Sequence, residues 1–124
     1  MTVILPEIHD GELRKIEIPG NGTLSLTFET IDRVTHSLRL EGVERFRCDN
    51  LLQGNIVFDI QRIEDPSLDD LARVTSMEDR NSEKGRNFLR DQQTAVRQGE
   101  LMFLRLESSY GCVMDALCRG FRIA

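Results

Sequence analysis

The chain has 124 residues, enough for one domain to bury a core without disulfide or metal staples. Hydrophobic residues at 40% and charged residues at 30% exclude a disordered segment and a fibre. A net charge of −5, with no basic arm or acidic tail in either half, argues against a nucleic-acid footprint. No stretch approaches the roughly 20 apolar residues of a membrane span. The segment Met1 to Glu7 shows no secretory pattern, so a cytoplasmic location is expected.

In chain order, His9-Asp10-Gly11 reads as a turn. Glu12 to Ile18 reads as a strand that places Ile16 and Ile18 on one face, with Leu13 out of phase as at a β-bulge. Pro19-Gly20-Asn21-Gly22 is a strong turn signal, because Gly and Asn tolerate positive φ. Thr23 to Thr30 alternates, with Leu24, Leu26 and Phe28 inward. Val34 to Leu40 alternates again, with Val34, His36, Leu38 and Leu40 inward. Val43 to Cys48 fits either a helical turn or an edge strand carrying Arg45 and Arg47. Leu51-Leu52 anchors a loop, and Asn55 to Ile63 is a strand with Ile56, Phe58 and Ile60 on one face.

The period then changes. Asp65-Pro66-Ser67 opens a helix, with Asp65 as its cap and Asp69-Asp70 at the positive end of the dipole. Leu68, Leu71, Ala72 and Thr75 form its inner stripe. Met77 to Gly85 is a polar connection. A second helix runs from Arg86 to Gln98, with Phe88, Leu89, Ala95 and Val96 on one side and Gly99 as its stop. Leu101-Met102-Phe103-Leu104 is apolar on both faces, the mark of a strand covered from both sides. Cys112 to Cys118 is a second buried strand. The expected fold is α+β: one domain over residues 1–124, a mainly antiparallel sheet of six to eight strands, curled or sandwich-like, with two helices inserted before the last strands.

The strong catalytic and metal signatures are absent: no glycine-rich phosphate loop, no CxxC pair, no HExxH. The carboxylates Glu64, Asp65, Asp69 and Asp70 lack the ligand spacing and glycine turn of a calcium loop. No cofactor is expected. Cys112 and Cys118, six apart in an extended run, would sit about 20 Å from each other, beyond the roughly 7 Å a disulfide spans, so the cysteines read as reduced and buried.

Three sets of residues stand out. His36 lies on the inward face of a clean strand, either as a hydrogen-bonded core histidine or as a ligand or catalytic group. Asp115 is a carboxylate inside an apolar run. If it points inward it is ion-paired across the sheet with Arg105 or held as a pocket carboxylate, since an unpaired buried charge is costly; otherwise it is simply exposed. Arg45 and Arg47, with Asp49 and Asn50 beside them, either protect a sheet edge from aggregation or form an edge that docks a partner by β-augmentation.

His9-Asp10-Gly11-Glu12-Leu13, Leu40-Glu41-Gly42-Val43, Gly54 to Ile60 and Ser109-Tyr110-Gly111-Cys112 follow one another in an order that resembles the β-rich domains among immunity proteins of bacterial polymorphic-toxin systems. That resemblance implies an α+β, non-enzymatic protein that neutralises a cognate toxin by surface complementarity. It assigns no functional residue. The expectation is therefore a non-enzymatic bacterial binding module acting through a protein partner, either a basic toxin or a second copy of itself, with no nucleic acid and no membrane involved. Complementary charge would speed such an encounter. The alternatives are a small-molecule binder using His36, Arg105 and Asp115 inside the curled sheet, and a small enzyme with His36 and Asp115 as acid and base.

Overall fold

The computed structural model describes residues 11–49, 57–75, 81–108 and 113–123. The readings placed on His9-Asp10, Asn50, Leu51-Leu52, Ile56, Met77, Tyr110 and Cys112 fall outside these residues. Among the described residues eight strands and two helices follow in the order β1 (Glu12–Gly20), β2 (Thr23–Glu29), β3 (Thr35–Glu41), β4 (Arg45–Asp49), β5 (Val57–Ile63), α1 (Leu68–Thr75), α2 (Glu83–Arg97), β6 (Met102–Ser108), β7 (Val113–Cys118) and β8 (Gly120–Ile123). They form two four-stranded sheets with the orders β1-β2-β3-β8 and β4-β7-β6-β5, and the strand pairs are antiparallel. The protein is thus α+β, with its helices inserted before the final strands.

The alternating sequences β2 and β3 set the first sheet. Leu24 pairs opposite Leu40, Leu26 opposite Leu38, and Phe28 opposite His36, so their apolar side chains share one face. Asn21 and Gly22 both have positive φ, 58° and 68°, and close a two-residue hairpin between Gly20 and Thr23. This is the turn that a primed geometry demands. In β1 the register skips between Leu13 and Lys15. The extra residue, Arg14, lets Leu13 and Ile16 both pack on the core, as the out-of-phase Leu13 predicts. Ile18 does not join Ile16. A second register shift before Gly20 turns the strand end away, and Ile18 is 77% exposed. Val34 also stays outside the sheet, in the turn before β3.

The two sheets are joined through a bent ribbon. β3 and β4 are one run of chain folded at Gly42, and β7 and β8 are another folded at Arg119. Pairing persists through the bend: the Arg119 N–H donates to Glu41 O at 2.9 Å and the Glu44 N–H to Leu117 O at 2.8 Å. Such strand-switching corners are how sheets that cross are connected. Gly42 has φ +60°, and a Cβ there would lie 2.8 Å from side-chain carbons of Arg119. The corner therefore takes glycine on both conformational and steric grounds.

The second sheet is buried on both faces. Leu104, Leu106, Met114, Ala116 and Cys118 meet the first sheet's Leu24, Leu26, Phe28, Leu38 and Leu40. Leu101, Phe103 and Leu117 meet Leu71, Ala72, Val74, Leu89 and Val96 of the helices. The layers run sheet, sheet, helices, as the doubly apolar Leu101 to Leu104 foretells.

Two helix starts and one strand differ from expectation. α1 is capped by Ser67, not Asp65: the Asp70 N–H donates to Ser67 Oγ at 3.0 Å, and the Ser67 N–H donates to Asp70 Oδ2 at 3.2 Å. This reciprocal box frees Asp65 to accept from Arg97 Nε at 2.7 Å, tying the end of α2 to the start of α1. α2 begins a turn earlier than Arg86, because Ser82 Oγ accepts from the Gly85 N–H at 3.0 Å. It stops at Gly99, φ 79°. The strand β8 lies beyond the buried run ending at Cys118, and its Phe121 packs on the inter-sheet core.

Candidate functional site

The helix-covered face of the second sheet carries a row of charges. Register places Arg47 opposite Asp115, and Asp115 opposite Arg105. α1 lies over this row and adds Asp70 and Arg73, one turn apart. Two clusters result.

In the inner cluster, Arg105 Nε donates to Asp115 Oδ1 at 2.8 Å, and its Nη2 donates to Asp115 Oδ2 at 3.2 Å and Asp70 Oδ1 at 2.9 Å. This fork is the geometry arginine offers a carboxylate. The guanidinium carbon sits 5.4 Å from the Phe103 ring centroid, a cation–π distance. Hydrogen bonding to Asp115 raises the Arg105 pKa against the opposing effect of burial, with Asp70 adding to the rise. Burial alone would push Asp70 up; hydrogen bonds from Arg105 and Ser67 outweigh it and hold the carboxyl below its ordinary value. The predicted cross-sheet partnership of Arg105 and Asp115 is present, and Asp70 is the third member that sequence reading assigned only to the helix dipole.

In the outer cluster, Arg73 Nη2 donates to Asp49 Oδ2 at 2.7 Å, and Arg47 Nε donates to both Asp49 oxygens at 3.1 Å. Arg47 Nη1 also donates to the Arg73 carbonyl at 3.0 Å, satisfying an acceptor in the last turn of α1. Hydrogen bonds from Arg73 and then Arg47 hold Asp49 below the usual aspartate range. Arg47 and Asp49, read from sequence as part of an edge that resists aggregation or docks a partner, lie on an edge strand and also clamp the C-terminal turn of α1. Arg73 was not singled out. Its signal is the three-residue step from Asp70, which puts both on the helix side that meets the sheet.

Arg45 stays at the surface, its Nη1 donating to Glu44 O at 3.0 Å. With Glu44, Thr75, Phe88 and Gln92 it lines a cleft of about 260 Å³ where β4 begins beneath the two helices. Among the described residues β4 is the outermost strand of its sheet, so this cleft adjoins a sheet edge.

His36 is half-buried on β3 of the other sheet, while the Asp115 side chain faces the helices. Arg105 and Asp115 are among the residues around the void between the sheets and His36 is not, so the three do not converge on one pocket. The void between the sheets, lined by Leu26, Leu38, Phe46, Ile60, Leu104 and Met114 among others, measures about 20 Å³, room for one water. Burial pushes the Cys118 thiol up to about 11, far from the range of reactive cysteines. Among the described residues no cluster of three or more His, Cys, Asp or Glu is placed to hold a metal, and no helix is long and apolar enough to cross a membrane.

No family model matches the chain, and no curated protein matches it. Its fold is similar to the crystal structure of an uncharacterized protein from Neisseria gonorrhoeae, with a TM-score of 0.58 over 99% of this chain and 96% of that one at 10% identity. The likeness is one of fold.

Proposed function

We propose that this chain is a non-enzymatic binding module that docks a protein partner along the outer edge of β4 in the cytoplasm. The observation that carries the reading is the meeting of a sheet edge with a cleft, at Glu44, Arg45, Thr75, Phe88 and Gln92. In β-augmentation, main-chain hydrogen bonds to an edge supply affinity and an adjoining pocket supplies specificity. The two ion clusters fit this role as a frame, because their charges satisfy one another and fix α1 behind the edge. The partner is either a basic protein, which the net charge of −5 suits, or a second copy of this chain.

The test uses the tagged full chain as bait in its native cells, followed by hydrogen exchange on the recovered complex. A stoichiometric partner that slows exchange across Arg45–Asp49, and that is lost with Arg45→Glu, is the expected result. A complex whose protection falls elsewhere, or repeated recovery of bait alone, overturns it. The small-molecule reading would need space that the 20 Å³ inter-sheet void does not provide, since ligand sites run to several hundred Å³.

A further inference from the structure

The β2–β3 turn is built to project apolar side chains. Ile31 is 85% exposed and Val34 45%. The turn around them is closed by the Arg33 N–H donating to Thr30 O and the Thr30 N–H donating to Val34 O, both at 2.9 Å. The single Thr30 Oγ1 proton is shared between the Asp32 carboxylate and Val34 O, the latter at 3.1 Å. Arg33 adopts φ 62°, a conformation non-glycine residues seldom take. Strained backbone held by its surroundings is an observation from which function can be inferred. Here it fixes Ile31 and Val34 outward, as a rigid finger. The Arg33 guanidinium makes no ion pair or hydrogen bond among the described residues.

The finger and the cleft at β4 complement each other. The cleft offers the Phe88 ring, the Arg45 guanidinium and the Glu44 carboxylate, which also pairs with the exposed Arg119 at 3.6 Å; the finger offers Ile31 and Val34, Arg33 and Asp32. A chain cannot fill its own cleft. The seven residues of β3, at about 3.4 Å each, hold the finger more than about 20 Å from Glu44 at the other end.

We infer that the cleft receives the β2–β3 finger of a second copy of this chain, with Ile31 and Val34 against Phe88, Arg33 on Glu44 and Asp32 on Arg45. Two chains related by a two-fold axis satisfy both fingers and both clefts, which closes the assembly as a dimer. This inference rests on the reading of the β4 cleft as the docking site and names its partner.

Light scattering on the full chain, from low micromolar to near-millimolar concentration, tests it. The weight-average mass should rise toward twice that of one chain. Ile31→Asp should weaken association about tenfold or more, the scale of losing an interface anchor. Arg33→Glu and Glu44→Arg should each weaken it, and the two together should restore it, with circular dichroism confirming that every variant is folded. A chain that stays monomeric throughout, or a dimer indifferent to Ile31 or without rescue by the charge swap, overturns the inference. If the chain is monomeric yet Arg45→Glu still abolishes capture of another protein, the docking edge stands and only its assignment to a second copy falls.

Discussion

The two ion clusters under α1 use the same chemistry in different surroundings. Both join arginines and aspartates between a strand and the helix, with contacts near 3 Å. The inner one is built on Asp115, 1% exposed, and Arg105, 17% exposed. In the outer one the side chains of Asp49, Arg73 and Arg47 are 31%, 37% and 41% exposed. Water can solvate an outer charge that loses its partner but cannot reach Asp115. Burial, more than the count of hydrogen bonds, therefore decides what each cluster does. The inner one penalises any state in which α1 and the second sheet separate incompletely, and the outer one guides how the helix end seats.

The sharpest way to break this contrast is Asp115→Ala. It strands Arg105 in the interior, and removing one member of a buried pair costs about 3–5 kcal/mol. The expectation is the low end, roughly 3 kcal/mol, because Asp70 still accepts from Arg105. Urea denaturation would measure it, and a loss like that of a surface substitution would show that the pair is not buried in solution. Replacing both partners, Arg105→Met with Asp115→Leu, should recover most of that loss, since an apolar pair of similar volume removes the uncompensated charge. A double variant no better than the single would mean that the charged cluster, with Arg105 reaching Asp70 on α1, contributes stability an apolar pair cannot replace.

Acid acts on both clusters more gently. Asp70 and Asp49 are held below the ordinary aspartate value of 3.8, so between their lowered values and 3.8 the unfolded chain binds more protons than the folded one. Stability then rises with pH through that window. Their contribution is complete above 3.8 and is lost as pH falls through the lowered values. Denaturation midpoints at descending pH should show this loss, and Asp70→Asn should reduce it. The smallest effect is expected from Asp49→Asn, which should leave the thermal midpoint nearly unchanged, as exposed pairs do. A large shift there would erase the distinction between the clusters.

Most strands were legible because alternation is a local property: Leu24 to Phe28 and Leu38 to Leu40 declare their face without reference to the rest of the chain. The glycine turns and Gly99 were legible for the same reason, since φ preference belongs to the residue. Ile18 and the cap of α1 were not. Where Ile18 points depends on a register shift against β2, and Ser67 displaced Asp65 as cap because Asp70 reciprocates its hydrogen bond. At the charged face, Arg105 and Asp115 could be paired from sequence because both interrupt apolar strands expected to be neighbours. The clamp of Arg47 and Asp49 on Arg73 depends on how α1 lies over β4, and no spacing within the chain encodes that. The cleft is harder still, as it draws on β4 and both helices.

The pairing of β3 with β8 sets an order of events for folding. Leu38 lies opposite Ile123, 85 positions later in the chain, so during synthesis β1, β2 and β3 emerge with Leu38 and Leu40 uncovered. Contacts that close so long a loop form slowly. A nascent chain halted after β3 would hold a three-stranded meander with a bare flank and an exposed greasy face, since the second sheet that covers it comes later. That species is the one most prone to clump, and the one a holdase would be needed to shield.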